Sequence, residues 1–179
     1  MIEFTILNCI ESSLLQTRYL HGTTMSLQEA ERQRYILTIG FQDTSAAFIS
    51  ALVNYIIEFP EIGSKVLDEI SLFERSGKPS SPVVTYDETV GMQYFMACFH
   101  ETLRLAPLVS ITLPRYAPAG GIYINGSWIS ERAELAASRY VIHRHTEIFG
   151  SDADTFRPER WLGDPDHVRL MHRFSLTYA

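Results

Sequence analysis

The stretch His100–Pro107, HETLRLAP, decides the fold together with FRPERW, which spans Phe156–Trp161 further along the chain. Within the first stretch, Glu101 and Arg104 lie three residues apart, so on a helix their side chains share one face and can form a charge-assisted pair. The same Glu-x-x-Arg spacing occurs twice near the start of the chain, and alone it predicts only a solvated ion pair. The order of the two stretches in one chain is therefore the more informative feature.

The composition is that of one globular domain. Hydrophobic residues make up 46% of the 179 residues, enough to bury a core, and the net charge of −6 disfavours nucleic acid as a partner. Cys9 and Cys98 show no CxxC spacing, so neither a disulfide framework nor a zinc site is predicted. His143 and His145 lack neighbouring carboxylate or cysteine ligands, so no metal site is predicted there.

Hydrophobic periodicity predicts a mainly helical first part and a small β region after it. A long helix that is apolar nearly all round is expected from Leu27 to about Phe59, and a second helix begins at Pro60. A third helix is expected over 87–105. Asn125-Gly126 between two β-prone runs predicts a hairpin, because both turn residues need positive φ. From His143 onward we expect irregular chain with at most short helical turns.

HETLRLAP and FRPERW resemble two signatures of the cytochrome P450 family, in the order in which that family carries them. Further stretches look like the fungal microsomal, pisatin-demethylase-like group: LPR (113–115), VIHR (141–144) and FGSDADTFRPERWL (149–162). The resemblance covers 26–179 and implies a mainly α chain with a small β-hairpin region, a partial P450 fold from the oxygen-binding helix through the meander. We expect one partial domain over 1–179, with a helical part (26–105), a small β region (106–140) and an irregular meander (141–179).

The resemblance also implies a structural triad. In the family, the helix-borne Glu and Arg pair with the Arg of the second signature, which corresponds here to Glu101, Arg104 and Arg160. Two guanidinium groups around one carboxylate satisfy donors that would otherwise be costly to bury. The triad is expected to fix the irregular segment onto the helix.

The long first helix is similar to the family's oxygen-binding helix. Its signature, Ala/Gly-Gly-x-Asp/Glu-Thr-Thr/Ser, corresponds to GFQDTS at 40–45. By this resemblance Asp43 and Thr44 lie at a local break in the helix and deliver protons during oxygen activation. Phe41 stands where the family usually has glycine, so its ring would project into the space that oxygen or substrate must use.

The family implies haem as the cofactor. Arg115 matches a position whose guanidinium usually meets a haem propionate, and His143 and Arg144 match a stretch near the haem edge. The alternative for Arg115 is a surface arginine that caps backbone carbonyls. A strand from Ile111 to Arg115 would line the substrate pocket.

The family's oxygen chemistry requires an axial cysteine thiolate, carried in a Phe-x-x-Gly-x-Arg-x-Cys-x-Gly loop after the Pro-Glu-Arg motif. The sequence reaches Ala179 without that cysteine, and neither Cys9 nor Cys98 occupies the ligand position. We therefore expect no metal ligand in this chain, no stably bound haem, and no P450 activity by the chain alone.

Three functions follow as hypotheses. The first is a truncated, inactive P450-like protein of secondary-metabolite oxidation. The second is an incomplete gene model of an active haem-thiolate monooxygenase, which would hydroxylate a small hydrophobic substrate with electrons from NADPH-cytochrome P450 reductase at the endoplasmic reticulum membrane. The third is a non-catalytic binding module that pairs with another chain. The apolar run 2–10 is too short to span a bilayer, so the chain as given is expected in the cytosol without an anchor.

Overall fold

The computed structural model describes residues 26–77, 80, 83–108 and 111–176. Cys9 and the apolar run 2–10 lie outside the described residues. The chain divides into two compact units, 1–49 and 50–179. The helices are α1 (Leu27–Glu58), α2 (Pro60–Arg75), α3 (Tyr86–Val90), α4 (Gln93–Leu105), α5 (Arg139–Ile142), α6 (Thr146–Phe149), a 3₁₀ helix (Pro158–Leu162) and α7 (Pro165–Phe174). The strands are β1 (Arg115–Tyr116), β2 (Ile122–Ile124), β3 (Ser127–Ile129) and β4 (Glu134–Leu135). The predicted fold class, mainly α with a small β region, is confirmed.

Helix α1 confirms the predicted long helix, but it contradicts the expected local break at Asp43 and Thr44. The helix runs without interruption from Leu27 to Glu58. Thr44 Oγ1 donates to the Gly40 carbonyl at 2.5 Å, a bond that a threonine can make to the preceding turn while the helix continues. The side chain of Phe41 lies outside the part of the chain that the structure describes.

Part of α1 is long and apolar enough to cross a membrane. The segment Gln28–Glu58 has a mean hydropathy of 1.4 over its most apolar window. The core helix of a soluble protein meets the same criterion, so length and composition alone are weak support for a membrane span. Exposed apolar side chains along α1 include Ile49 at 58% and Ile57 at 73%.

Helix α2 begins as predicted at Pro60, which occupies the first turn, where its missing N–H costs no hydrogen bond. Ile62 and Val66 are its buried apolar residues. A Cβ at Gly63 would lie 2.9 Å from the Ile56 carbonyl oxygen, so only glycine permits this close approach to the end of α1.

The single helix predicted over 87–105 is wrong, because the structure has two helices, α3 and α4, separated at Gly91 and Met92. Helix α3 is set by a capping box in which Thr85 accepts from the backbone N–H of Glu88 and the Glu88 side chain accepts from the Thr85 backbone N–H. Gly91 ends this short helix. Helical periodicity spans both helices and does not reveal the break.

The Glu69 carboxylate, on α2, caps the start of α4. Glu69 accepts hydrogen bonds from the backbone N–H groups of Tyr94 at 2.9 Å and Phe95 at 2.8 Å. The first N–H groups of a helix have no partner within it, so a carboxylate from another element satisfies them and favours a new helix start. This long-range cap is a second physical reason for the break.

The predicted hairpin is confirmed. Strands β2 and β3 pair antiparallel around Asn125 and Gly126, whose φ angles are 48° and 77°. The strand predicted over 111–115 is wrong, since only β1 is extended there, and it pairs with β4. Pro114 has no N–H to contribute to a ladder, which limits the strand to the residues after it.

Gly121, just before β2, is expected to be the less tolerant of two adjacent glycines. Both have positive φ, 81° at Gly120 and 71° at Gly121. A Cβ at Gly121 would collide with the Trp128 ring and lie 2.6 Å from the Ile129 carbonyl oxygen, whereas one at Gly120 would meet nothing within 4 Å. Gly121→Ala should therefore cost the hairpin about 1–2 kcal/mol more than Gly120→Ala, seen as faster amide exchange in β2 and β3. Equal exchange in the two variants would contradict this packing.

Helix α7 corrects the expectation of only short helical turns after His143. Its ten residues begin with Pro165 in the first turn, and the Asp164 side chain caps it by accepting from the His167 backbone N–H at 3.0 Å. Met171 on the inner face of this helix is completely buried. Its Asp-Pro start was a usable sequence signal.

The main core lies where α4 meets the chain from α6 to α7. Its buried members come from four helices and the turn after α6: Ala97, Phe149, Ala153, Trp161 and Met171. Phe149 and Met171 are 1% and 0% exposed. This cluster holds the inner face of α4, which carries Glu101 and Arg104, against the segment that carries Arg160.

Candidate functional site

Glu101 is the centre of a buried polar network. Its side chain is fully buried and accepts five hydrogen bonds. The donors are Arg104 Nε at 2.9 Å, Arg104 Nη2 at 2.8 Å, Arg160 Nε at 2.9 Å, Trp161 Nε1 at 2.9 Å and the Arg157 backbone N–H at 2.9 Å. Every donor except Arg104 belongs to the FRPERW stretch, so one carboxylate joins the two sequence signatures.

Arg104 uses the rest of its guanidinium to hold backbone carbonyls. Its side chain is fully buried, and Nη1 donates to the carbonyls of His143 at 2.6 Å and Ala153 at 2.5 Å. The guanidinium also lies 5.2 Å from the centre of the Phe149 ring. Carbonyl groups of irregular backbone, which accept no helix or strand hydrogen bonds, thus accept them from Arg104 on α4.

Arg160, on the 3₁₀ helix, also donates hydrogen bonds to backbone carbonyls of the irregular segment. Besides Glu101, it donates to the carbonyls of Phe149, Asp152 at 3.0 Å and Thr155 at 3.2 Å, and to the Asp152 side chain at 3.2 Å. The planar fork of arginine permits this many directed bonds from one residue, which lysine cannot match.

Asp152 adds a second carboxylate to the network. Partial burial alone would raise the pKa of its carboxyl, but Arg160 and Arg157 outweigh that effect, so the pKa is lowered. The two carboxylates, Asp152 and Glu101, pair with three arginines: Arg104, Arg160 and Arg157. Sequence reasoning missed Asp152, although it stands inside the quoted FGSDADTFRPERWL stretch. Trp161 was also quoted without a role.

The described part of the chain shows no buried side-chain nitrogen or oxygen without a hydrogen-bond partner. A network that is fully satisfied fixes one arrangement, while removal of any member leaves a buried group unpaired. The arrangement of Glu101, Arg104 and Arg160 can therefore hold an irregular segment in place, and none of these groups is free to act as an acid or base.

His143, which the resemblance places near the haem edge, is buried, and both of its ring nitrogens contact backbone. Its Nδ1 lies 2.9 Å from the Arg104 carbonyl, and the Leu176 backbone N–H donates to its Nε2 at 3.1 Å. Because a carbonyl can only accept, Nδ1 carries the proton and Nε2 is the acceptor. Both nitrogens are engaged only in the neutral ring, and burial lowers the pKa of His143.

The unfolding free energy should fall as the pH is lowered from about 7 to 5.5, because His143 has a pKa below its ordinary value of 6.5 and the unfolded state binds the proton more readily. Burial also lowers the pKa of His100, which adds to the same slope. Urea titrations at several pH values measure the slope, and His143→Gln should reduce it. The control is His145→Gln, whose ring is exposed; an equal loss of slope there would contradict the assignment.

Arg144 and Arg115 are placed differently. Arg144 donates to the Leu105 carbonyl at 3.1 Å, pairs with Asp154 at 3.1 Å and lies over the Tyr140 ring. Arg115 is exposed on β1 and donates to the adjacent carbonyls of 113 and 114, at 3.4 and 3.2 Å. Arg144 is thus tied to the end of α4, whereas the hydrogen bonds of the Arg115 guanidinium within the described residues are local.

Asp43 and Thr44 lie on α1 within the first unit. Asp43 is exposed and Thr44 is half-buried with its hydroxyl bonded to Gly40. The other candidate site residues belong to the second unit. The carboxyl and the hydroxyl stand on successive positions of one helix, as the sequence alone placed them.

The described residues fit a haem only in part. Arg115 borders a depression of about 550 Å³ together with apolar residues such as Leu113 and Leu135, a suitable edge for a carboxylate on an apolar body. The described residues do not offer a thiolate ligand for iron. Cys98 is fully buried, and burial raises the pKa of its thiol to about 12, so it is no thiolate. No cluster of three metal-binding side chains occurs within the described ranges.

A second polar contact between α2, α4 and the 3₁₀ helix was missed in the sequence. Glu159 accepts from Lys65 at 2.5 Å and from the Tyr94 hydroxyl at 2.8 Å. Burial and the hydrogen bond to Glu159 together raise the pKa of Tyr94. Lys65 lies too far from Glu159 in sequence for any local pattern to reveal the pair.

Comparison with known proteins finds matches that cover most of the chain. The family model for cytochrome P450 matches residues 5–174. The chain is 27% identical over 170 residues to cytochrome P450 monooxygenase ACRTS1 of Alternaria alternata, covering 95% of this chain and 45% of the relative. It is 35% identical over 137 residues to cytochrome P450 monooxygenase cicH of Emericella nidulans, covering 76% and 27% respectively.

Pisatin demethylase of Fusarium vanettenii is 29% identical over 167 residues, covering 92% of this chain and 32% of the relative. The chain thus spans less than half the length of these curated relatives. The match of the family model over nearly all of the chain agrees with the two signatures that meet at Glu101. The chain belongs to the cytochrome P450 family.

Proposed function

We propose that the chain forms the oxygen-binding helix and the α4–meander scaffold of a fungal P450 monooxygenase of secondary-metabolite oxidation. The observation that carries this proposal is the buried network around Glu101, in which α4 holds the segment from Phe149 to Leu162. The family membership and the fungal relatives support the assignment. The network performs no chemistry itself and gives the surrounding residues fixed positions.

Within that scaffold, Asp43 and Thr44 have the role of proton delivery, supported by their match to the family signature and by an exposed carboxyl beside a hydroxyl on one helix. Arg115 has the role of meeting a haem carboxylate, supported by its exposed guanidinium at the border of an apolar depression. His143 and Arg144 have positioning roles, because their polar atoms hold backbone at 104–105 and 176.

Haem, when bound by a P450, supplies the iron at which oxygen is activated. We propose that residues 1–179 alone do not support this chemistry. The described cysteine, Cys98, is a buried neutral thiol on α4, and the guanidinium groups of Arg104 and Arg160 are bonded to Glu101 and to backbone carbonyls. A longer form of the protein would oxidise a small hydrophobic substrate with electrons from NADPH-cytochrome P450 reductase at the endoplasmic reticulum membrane, and the 179-residue chain alone would reside in the cytosol.

The test is the absorption spectrum of the purified chain, reconstituted with haem, reduced and exposed to carbon monoxide. An unshifted Soret band, or no bound haem, is expected because Cys98, the cysteine within the described residues, is a buried neutral thiol. A band shifted strongly to the red would mean that a cysteine ligates the iron. In that event, Cys98→Ala and Cys9→Ala identify the ligand, and the proposal that the chain is inactive alone is abandoned.

A further inference from the structure

Leu176, which follows α7, is connected to the end of α4 through the ring of His143. The Leu176 backbone N–H donates to His143 Nε2 at 3.1 Å, and Nδ1 of the same ring donates to the Arg104 carbonyl at 2.9 Å. The ring is fully buried, so both bonds lie inside the second unit. One neutral imidazole thus joins two backbone positions that are far apart in sequence.

The two bonds of this ring respond differently to a proton. Protonation places an N–H on Nε2, opposite the Leu176 N–H, so two donors face each other without an acceptor. The bond from Nδ1 to the Arg104 carbonyl is kept, because Nδ1 is a donor in both forms of the ring. A proton on His143 therefore breaks the contact with Leu176 and leaves the ring bonded to α4.

Positive side chains surround the ring: Arg104 on α4, Arg139 on α5 and Arg144 next to it in the chain. From α6, the uncharged Phe149 ring lies edge-on at 6.2 Å. Burial lowers the pKa of His143 most; the bond to the Arg104 carbonyl opposes this, and the three arginine charges add to the lowering. The ring is therefore neutral at neutral pH and takes up a proton only below its ordinary value of 6.5.

Helix α7 itself does not need this contact. Met171 is fully buried in the main core, beside Trp161 and Phe149. Asp164 caps the first turn of the helix independently of His143. Loss of the bond to Nε2 thus releases the backbone at Leu176 and leaves α7 in place.

Leu176 also lines the depression of about 550 Å³ that Arg115 borders. The other lining residues come from 113–139, in the β region and at the start of α5. Leu176 is thus the part of this wall that His143 holds. Its departure would enlarge the depression beside the apolar side chains of Leu113 and Leu135.

We propose that His143 is a pH-sensitive switch: its neutral ring holds Leu176 as a wall of the Arg115 depression, and its protonated ring releases Leu176 and opens that wall. The switch depends neither on haem nor on the scaffold function proposed above. The competing explanation is that His143 has a structural function alone. In that case a proton would destabilise the whole second unit and would not free Leu176 selectively.

The test is nuclear magnetic resonance of the full 179-residue chain with ¹⁵N-labelled leucine. Between about pH 7.5 and about pH 5, the Leu176 amide order parameter should fall from about 0.85 to below about 0.6, while that of the buried Leu103 on α4 stays near 0.85. The amide signals of Leu113 and Leu135 should shift with the same midpoint as the depression opens. Far-UV circular dichroism checks that the chain stays folded.

His143→Gln should abolish the pH dependence at Leu176, because the amide side chain does not titrate in this range. The control is His145→Gln, whose exposed ring makes the same chemical change and should keep the transition of the parent chain. A Leu176 order parameter that is the same at both pH values in the parent chain would overturn the proposal. A transition that persists in His143→Gln would also overturn it.

A reciprocal measurement leaves His143 in place. Leu176→Pro removes the backbone N–H, and Ser175 already has the extended conformation, φ −77° and ψ 101°, that a residue before proline adopts. Without this donor the neutral ring loses a bond, so the titration midpoint of His143 should rise by about one pH unit. Leu176→Ala keeps the N–H and should match the parent chain. Equal midpoints in the two variants would contradict the switch.

Discussion

Glu101→Gln is expected to destabilise the chain by about 3–5 kcal/mol, the largest effect of any single substitution that we predict. The two carboxylate oxygens together accept five hydrogen bonds, so an amide in either orientation places an N–H₂ group against arginine or tryptophan donors. It also leaves two buried guanidinium groups with one negative charge fewer. Urea unfolding followed by circular dichroism measures the change.

The matched control is Glu147→Gln, which makes the same chemical change on the exposed surface of α6. A change within about 0.5 kcal/mol is expected there. If Glu101→Gln were as mild as this control, the Glu101 network would not be a determinant of the fold, and the two sequence signatures would have to be joined by apolar packing alone.

Arg160→Lys is expected to have the second largest effect, a loss of about 2–3 kcal/mol. The lysine keeps the positive charge, but a single ammonium cannot reach Glu101, the Asp152 side chain and the carbonyls of 149, 152 and 155 together. Buried carbonyls without donors each cost free energy. The same urea titration measures this loss.

Arg173→Lys, on the exposed surface of α7, is the control for Arg160→Lys. It should leave the unfolding free energy nearly unchanged. Equal stability of Arg160→Lys and the parent chain would show that charge alone, and not the directed bonds of the guanidinium, holds the segment from 149 to 155.

Local chemistry explains why much of the fold could be predicted. Asn125-Gly126 adopts the two positive φ angles that its turn requires, and Pro60 starts α2 as its ring geometry favours. The long apolar run predicted α1, which ends at Glu58, one residue before its predicted end. In each case, the signal and the structure it determines lie within a few residues of each other.

The errors arise where distant residues decide the outcome. The single helix expected over 87–105 is divided because Glu69, far away in sequence, caps the start of α4. The backbone partners of His143, at 104 and 176, were not predicted either. A position next to a family motif did not reveal these partners, because each bond depends on the tertiary fold.

The candidate site could likewise be predicted only in part. Resemblance to the two signatures singled out Glu101, Arg104 and Arg160, and the structure places a nitrogen of each guanidinium group within 3 Å of a Glu101 carboxylate oxygen. The acceptors of the arginines could not be predicted, because they are carbonyls of irregular chain without a side-chain signal.

The most direct test of the central claim, that the Glu101 network fixes the meander onto α4, is amide hydrogen exchange measured segment by segment. We expect the amides of 149–162 to be protected in the parent chain to the same degree as those of α4. In Glu101→Gln, both segments should lose protection together, because they share one network. Fast exchange across 149–162 in the parent chain, beside a well-protected α4, would contradict the claim.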